Sequence, residues 1–234
     1  MRRTIAALVA GSALLAGCRD GTGEDAPAPS SGCPAVEIVG LRGQGQSLDA
    51  NDGLGTEVRL IADELADELS SLGSVRTTAI RHASRLGSWD QYVADVEDGR
   101  SRLRVRIRSI VEDCPDTRIA VVGFSQGSQI AREELAARPA LARHVDVLVL
   151  VGSPLRDPGG RFLPVMLPGG IPSGGGRLGP GPELGHLGTR TVEACRTGDP
   201  VCAGGSDDSV HRHAYEDPDA VRAIAGAAAS FLTR

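Results

Sequence analysis

Residues 117–130 read Thr-Arg-Ile-Ala-Val-Val-Gly-Phe-Ser-Gln-Gly-Ser-Gln-Ile, and the reading of this stretch decides the fold. Thr117 to Val122 is a short β-branched apolar run, the pattern of a strand buried on both faces of a parallel sheet. Ser128 to Arg138 carries Ile130, Ala131, Leu135 and Ala136 on one helical face, and Pro139 stops that helix. Between them, Gly123-Phe124-Ser125-Gln126-Gly127 fits a sharp strand-to-helix turn that lifts a serine nucleophile out of the sheet. The turn forces the serine backbone into an unfavourable region, so the flanking positions must be small. With 31 glycines in 234 residues the spacing alone carries little weight. Its flanks give it meaning.

The neighbouring segments extend the same pattern. Ala35 to Leu41 reads as a strand running into the polar glycine loop Arg42-Gly43-Gln44-Gly45-Gln46. Val58, Ile61, Leu65, Leu69 and Leu72 then fall at helical spacing, with Thr56 as a capping residue. Val75 to Ile80 is a second strand. Arginines at 100, 102, 104, 106 and 108 alternate like an exposed strand. Tyr92, Val93, Val96, Leu103, Ile107, Ile110 and Val111, however, share one helical arc, so the segment is read as a helix. Its arginines are expected on a solvated flank, with attraction to anionic lipid open. His144 to Val151 is an aliphatic strand, residues 154–188 are too rich in Pro and Gly for helix or strand, Thr189 to Ala194 is a last strand, and Pro218 to Leu232 a last helix. Strands alternating with helices imply an α/β fold, three layers around a mainly parallel sheet of about five strands.

The first residues and the cysteines bear on compartment. Arg2 and Arg3 precede an apolar run from Ile5 to Ala16, too short to span a bilayer, so residues 1–17 read as an export signal. Leu15-Ala16-Gly17-Cys18 resembles a bacterial lipobox, which makes Cys18 the expected lipidation site and residues 18–32 a flexible tether. Residues 33–234 then form the folded domain. The expected location is extracellular, anchored to the outer face of the cell membrane. Cys33, Cys114, Cys195 and Cys202 remain, and two disulfides in an exported chain allow three pairings. The short spacing of Cys195 and Cys202 favours a local clip, leaving Cys33 and Cys114 to close a long loop. A net charge of −5 and the scarcity of aromatics argue against a nucleic-acid partner.

A serine hydroxyl needs a base, and the base needs an acid to orient it. Downstream of Ser125 the chain offers Asp199, between Cys195 and Cys202, and then His211 and His213. The order serine, acid, histidine is that of α/β-hydrolases, with both partners expected in loops after late strands. The tetrahedral oxyanion would be met by the backbone N–H of Gln126 and by a donor from the loop holding Gln44.

Together, Arg42-Gly43-Gln44-Gly45, Cys114-Pro115-Asp116-Thr117, Gly123-Phe124-Ser125-Gln126-Gly127 and Gly198-Asp199-Pro200-Val201-Cys202 resemble the cutinase family of serine esterases, particularly its actinobacterial members. The likeness runs from about Cys33 to the C-terminus. It implies hydrolysis of carboxylic esters without a cofactor, at an exposed, lidless serine; no metal is expected, because no second ligand sits at a two- or three-residue spacing from the cysteines, and a monomer is expected. It matches Ser125 to the nucleophile, Asp199 to the acid, Gln44 to the loop oxyanion donor, and the bridges to Cys33–Cys114 and Cys195–Cys202. The family places its histidine three residues before a tyrosine, whereas Tyr215 follows His211 by four and His213 by two. His211 is taken as the base, with His213 as the alternative. The long segment 155–188 departs from a lidless pattern and is expected to cover or shape the site. The substrate is then an ester or a lipid. Two further readings stand beside the esterase: a phospholipase or acyltransferase on envelope lipids, and a non-catalytic lipid- or wall-binding lipoprotein on the same scaffold.

Overall fold

Strand β1, Val36–Leu41, carries Val36 and Ile38 to one face and Val39 and Leu41 to the other, all fully buried. A strand with both faces apolar must lie inside a sheet covered on both sides. A computed structural model describes residues 32–234, and there β1 lies between β2 (Val75–Ala79) and β3 (Arg118–Phe124). The export signal, Cys18 and all but the last residue of the tether lie outside the described residues. The sheet continues through β4 (Val147–Val151) and β6 (Thr191–Ala194) to β5 (Leu163–Pro164), giving the order β2-β1-β3-β4-β6-β5 with every pair parallel.

Two apolar layers cover it. Helices α1 (Thr56–Leu69) and α6 (Pro218–Leu232) cover the face that bears Ile38, Ala120, Val122, Val149 and Val192. Helices α2 (Trp89–Asp113) and α3 (Gln126–Ala137) cover Val39, Leu41, Ile119, Val121, Leu148 and Leu150. Short helix α4 (Pro139–Ala142) follows α3 directly.

Because β1 is followed by β2 on one side and β3 on the other, the strand order reverses between β1 and β3. Open parallel sheets bind ligands at such a reversal, outside the carboxyl ends of the strands. Here those ends are Leu41, leading to Gln44, and Phe124, leading to Ser125.

Several expectations need correction. The sheet has six strands rather than about five, because Leu163–Pro164, inside the segment read as neither helix nor strand, pairs with Val192 and Glu193 of β6. Two residues are too few to leave a periodic signature. A 3-10 helix over Gly185–Arg190 ends the same segment and shortens the last strand. Thr56 is the first helical residue of α1 and not its cap; Gly55 holds that place with φ 76, a conformation glycine adopts freely. Helix α3 starts at Gln126, directly after the turn.

The arginines of α2 are a solvated flank only in part: Arg102 and Arg108 are exposed, but Arg104 and Arg106 turn to buried carboxylates. Arg104 makes two hydrogen bonds, at 2.7 and 3.1 Å, to buried Glu134, and Arg106 pairs with buried Glu37 of β1. These side chains join α2 to α3 and to the sheet, so little of their charge is left for a lipid surface. Both predicted disulfides form, Cys33–Cys114 and Cys195–Cys202.

Candidate active site

The turn after β3 is strained as expected. Ser125 has φ 52 and ψ −115, outside the regions that L residues prefer. A Cβ on Gly123 would lie 2.6 Å from the Gly127 carbonyl carbon, and one on Gly127 would collide with the carbonyl of Leu41. The Ser125 N–H donates to Val151 O at 2.9 Å, and buried Ser128 bridges Gly123 and Val151 through its hydroxyl. Serine at 125 is therefore held by the sheet rather than by a mobile loop.

The structure brings Ser125, His211 and Asp199 together. His211 Nε2 lies 3.0 Å from Ser125 Oγ, and His211 Nδ1 lies 2.9 Å from Asp199 Oδ2. The imidazole stacks on Phe124, with ring centroids 5.0 Å apart, and sits against Gly152, where a Cβ would come 3.0 Å from Cε1. His213 points elsewhere: it is 70 % exposed and faces Glu216 at 3.5 Å. Both histidines lie on helix α5 (Asp208–His213), which corrects the expected loop. Asp207 caps that helix by accepting from the Ser209 N–H, and six residues are too few to show an apolar face.

Asp199 is fully buried, and its carboxylate is fully occupied. Oδ1 accepts from the N–H groups of Val201 and Cys202 at 2.6 and 3.2 Å; Oδ2 accepts from the Tyr215 hydroxyl at 2.6 Å. Burial alone would push this carboxyl up, but the bonds from His211, Tyr215 and Val201 outweigh it and hold the pKa below the usual aspartate value. Tyr215 is itself buried; burial and the adjacent Asp199 charge raise its hydroxyl pKa well above the usual, so it stays a donor. The Cys195–Cys202 bridge closes over this loop.

Gln44 and Gln126 lie on opposite sides of the strand-order reversal. Gln126 opens α3, where the first N–H groups lack intrahelical acceptors. The Gln44 side chain donates to Arg85 O at 3.0 Å, so its backbone N–H is the group left for a substrate. That loop is braced from behind. The Gln46 amide accepts from Gly43 N–H at 2.7 Å and donates to buried Glu57 at 2.5 Å, while Arg42 donates to Gln46 O at 2.9 Å and to His82 O. Burial pushes the Glu57 carboxyl up.

Sequence reasoning did not find Tyr215 as an acid partner, the Gln46–Glu57 brace, or the walls of the crevice. Spacing from the histidines drew attention to Tyr215, and a glutamate next to apolar Val58 was a signal for Glu57. The crevice over Ser125 has a volume of about 300 Å³ and is lined by Gln44, Trp89, Tyr92, Pro154, Arg177 and Val201, among others. Trp89 stacks on Tyr92 with centroids 5.2 Å apart. The segment after β4 supplies Pro154 and Arg177, as a wall rather than a cover. Buried Arg132 donates to the carbonyls of Leu155, Gly181 and Pro182, and buried Arg156 to those of Gly174 and Pro172. Two arginines thus hold a stretch in which β5 is too short to do so alone.

Fold and site together define an α/β-hydrolase of the carboxylic-ester-hydrolysing class. A family model described as Cutinase matches residues 32–233, and the chain belongs to the cutinase family. It is 29% identical over 181 residues to Carboxylesterase Culp1 of Mycobacterium tuberculosis (strain ATCC 25618 / H37Rv), covering 76% of this chain and 73% of that one. It is 25% identical over 197 residues to Phospholipase Culp4 of the same strain, covering 80% and 74%. Among solved structures, a cutinase-like protein from Cryptococcus sp. superposes with a TM-score of 0.69 at 20% identity, over 88% of this chain and 98% of that one. No helix among the described residues is long and apolar enough to cross a membrane.

Proposed function

We propose that the chain is an exported serine esterase that cleaves carboxylic esters through an acyl-enzyme on Ser125. Ser125 Oγ attacks the ester carbonyl carbon while His211 Nε2 takes its proton. Asp199, on Nδ1, fixes the tautomer and stabilises the imidazolium. The backbone N–H groups of Gln126 and Gln44 meet the oxyanion, each donor being worth about 2.7–4 kcal/mol in such sites. The alcohol leaves with the proton from Nε2; water then attacks the acyl carbonyl, gives its proton to Nε2, and the acid departs as Oγ is reprotonated. The observation that carries this reading is the chain Ser125–His211–Asp199 at 3.0 and 2.9 Å, ending on a buried carboxylate with four donors.

A phospholipase is the second reading, favoured by the likeness to Culp4. Export by residues 1–17 and a diacylglyceryl anchor on Cys18 would keep the enzyme at the outer face of the membrane, where either substrate is met. Replacing Cys18 by Ala should then release the protein into the medium. A fluorophosphonate probe should label Ser125, and 4-nitrophenyl esters of graded chain length should be hydrolysed. Folded protein that neither labels nor turns over would instead be a binding lipoprotein.

A further inference from the structure

Arg177 lines the crevice that opens on Ser125, and no acidic side chain is among the residues that line it. Its guanidinium makes no hydrogen bond or ion pair among the described residues, whereas Arg132 and Arg156 of the same region are committed to carbonyls. The backbone that carries it is pinned from both sides. Arg177 N–H donates to Val201 O at 2.8 Å, in the acid loop; Leu178 N–H donates to Pro154 O at 2.9 Å, and Gly176 N–H to Arg156 O at 2.9 Å. At Gly176 a Cβ would collide with the Pro154 carbonyl, so the strap lies flat against the end of β4. The result is an exposed cation fixed at its root in the crevice of the nucleophile, among the polar Gln44 and Ser88 and the more apolar Trp89, Tyr92, Pro154 and Leu178.

A guanidinium left without a partner in a substrate crevice is a recognition group for a planar or tetrahedral oxyanion, which its fork of donors meets in two places. The chain carries a net charge of −5, so its overall field opposes an anionic ligand; a local cation at the crevice offsets that opposition where the ester must dock. From this geometry we infer that Arg177 binds an anionic group, a carboxylate or a phosphate, carried by the ester substrate a few bonds from its scissile carbonyl. The inference rests on the esterase reading of Ser125 and specifies the substrate class of that same site.

The test is a ratio. Mono(4-nitrophenyl) adipate and 4-nitrophenyl hexanoate share chain length and leaving group and differ by one carboxylate. The purified chain should favour the adipate by about 10-fold in kcat/KM at low salt, and the preference should shrink as ionic strength rises. In Arg177→Gln the ratio should fall to near one, in Arg177→Glu below it, and Arg177→Lys should keep part of it. Dihexanoyl phosphatidic acid against dihexanoylglycerol repeats the comparison with phosphate; the pair that shows the larger Arg177-dependent ratio identifies the source of the anion. A ratio near one in the unmodified chain for both pairs, or a ratio that Arg177→Gln leaves alone, overturns the inference while hexanoate turnover upholds the esterase. Absence of any turnover overturns both.

Discussion

Tyr215 donates its hydroxyl hydrogen to Asp199 Oδ2 at 2.6 Å, the same oxygen that faces His211 Nδ1 at 2.9 Å. The acid therefore divides one oxygen between two donors, one of them neutral and permanently protonated. Removing the phenol leaves Oδ2 with the imidazole as its one donor and takes away a bond that fixes the carboxylate. In Tyr215→Phe kcat should fall by about 10-fold, because the carboxylate that orients His211 is held less firmly. The Arg196 N–H, which donates to the Tyr215 oxygen at 3.0 Å, loses its acceptor in the same variant, so a loss of about 1–3 kcal/mol in stability is expected. Steady-state kinetics and a urea titration separate the two effects.

The two histidines of α5 should behave very differently. His211 stands between Ser125 and Asp199, and its replacement by Ala should lower kcat by at least ~1000-fold, the order lost when one member of such a unit is removed. His213 is 70 % exposed and faces Glu216, so His213→Ala should stay within about twofold of the parent. Burst kinetics with a 4-nitrophenyl ester check both; a larger loss at His213 would reverse the assignment.

The contrast also marks what could be read before the structure. Serine, acid and histidine stand in the sequence order of α/β-hydrolases, and the strand before Ser125 announces itself by its apolar run. Local pattern carried that far. What stayed hidden depends on partners distant in the chain: Arg106 meets Glu37 across 69 residues, and Arg104 meets Glu134 across 30. An alternating row of arginines reads the same whether it faces water or buried carboxylates. The segment 154–188 was opaque for a related reason. Its order comes from carbonyls accepting from Arg132 and Arg156, and a carbonyl leaves no trace in residue type. Choosing between His211 and His213 needed the one-turn geometry of α5, which six residues do not advertise.

Glu193 on β6 should make the fold less stable as pH rises. It is buried; Oε2 lies 3.3 Å from Arg156 Nε, and Oε1 has no hydrogen-bond partner among the described residues. Burial pushes its carboxyl up from 4.5 to about 7, against the pull of Arg156 and Arg132. Its folded pKa lies above the unfolded one, so between those values the folded chain holds a proton that the unfolded chain has released. The stabilisation from this group is full below about pH 4.5 and is lost as pH rises through about 7. The loss is on the order of 3 kcal/mol. Glu193→Gln cannot lose that proton. Urea midpoints at pH 5 and pH 8 should show the parent falling relative to the variant; parallel changes in both would sink the expectation.

The two disulfides should separate stability from turnover. Cys33–Cys114 spans 81 residues and ties the start of the domain to the end of α2, far from Ser125 along the strands. By loop-closure entropy its removal in Cys33→Ala/Cys114→Ala should cost about 4–5 kcal/mol, with kcat in the surviving folded protein nearly unchanged. Cys195–Cys202 spans only 7 residues, and the same reasoning gives it roughly 2–3 kcal/mol. Yet the N–H groups of Val201 and Cys202 that hold Asp199 Oδ1 lie inside that small ring. Opening it in Cys195→Ala/Cys202→Ala frees the loop whose carboxylate must meet His211, so kcat should fall by about 10-fold or more although less stability is lost. Denaturant midpoints and steady-state kinetics on the two double variants should therefore rank them in opposite orders. If both measurements rank them alike, the short bridge acts on the fold as a whole and not on the placement of Asp199.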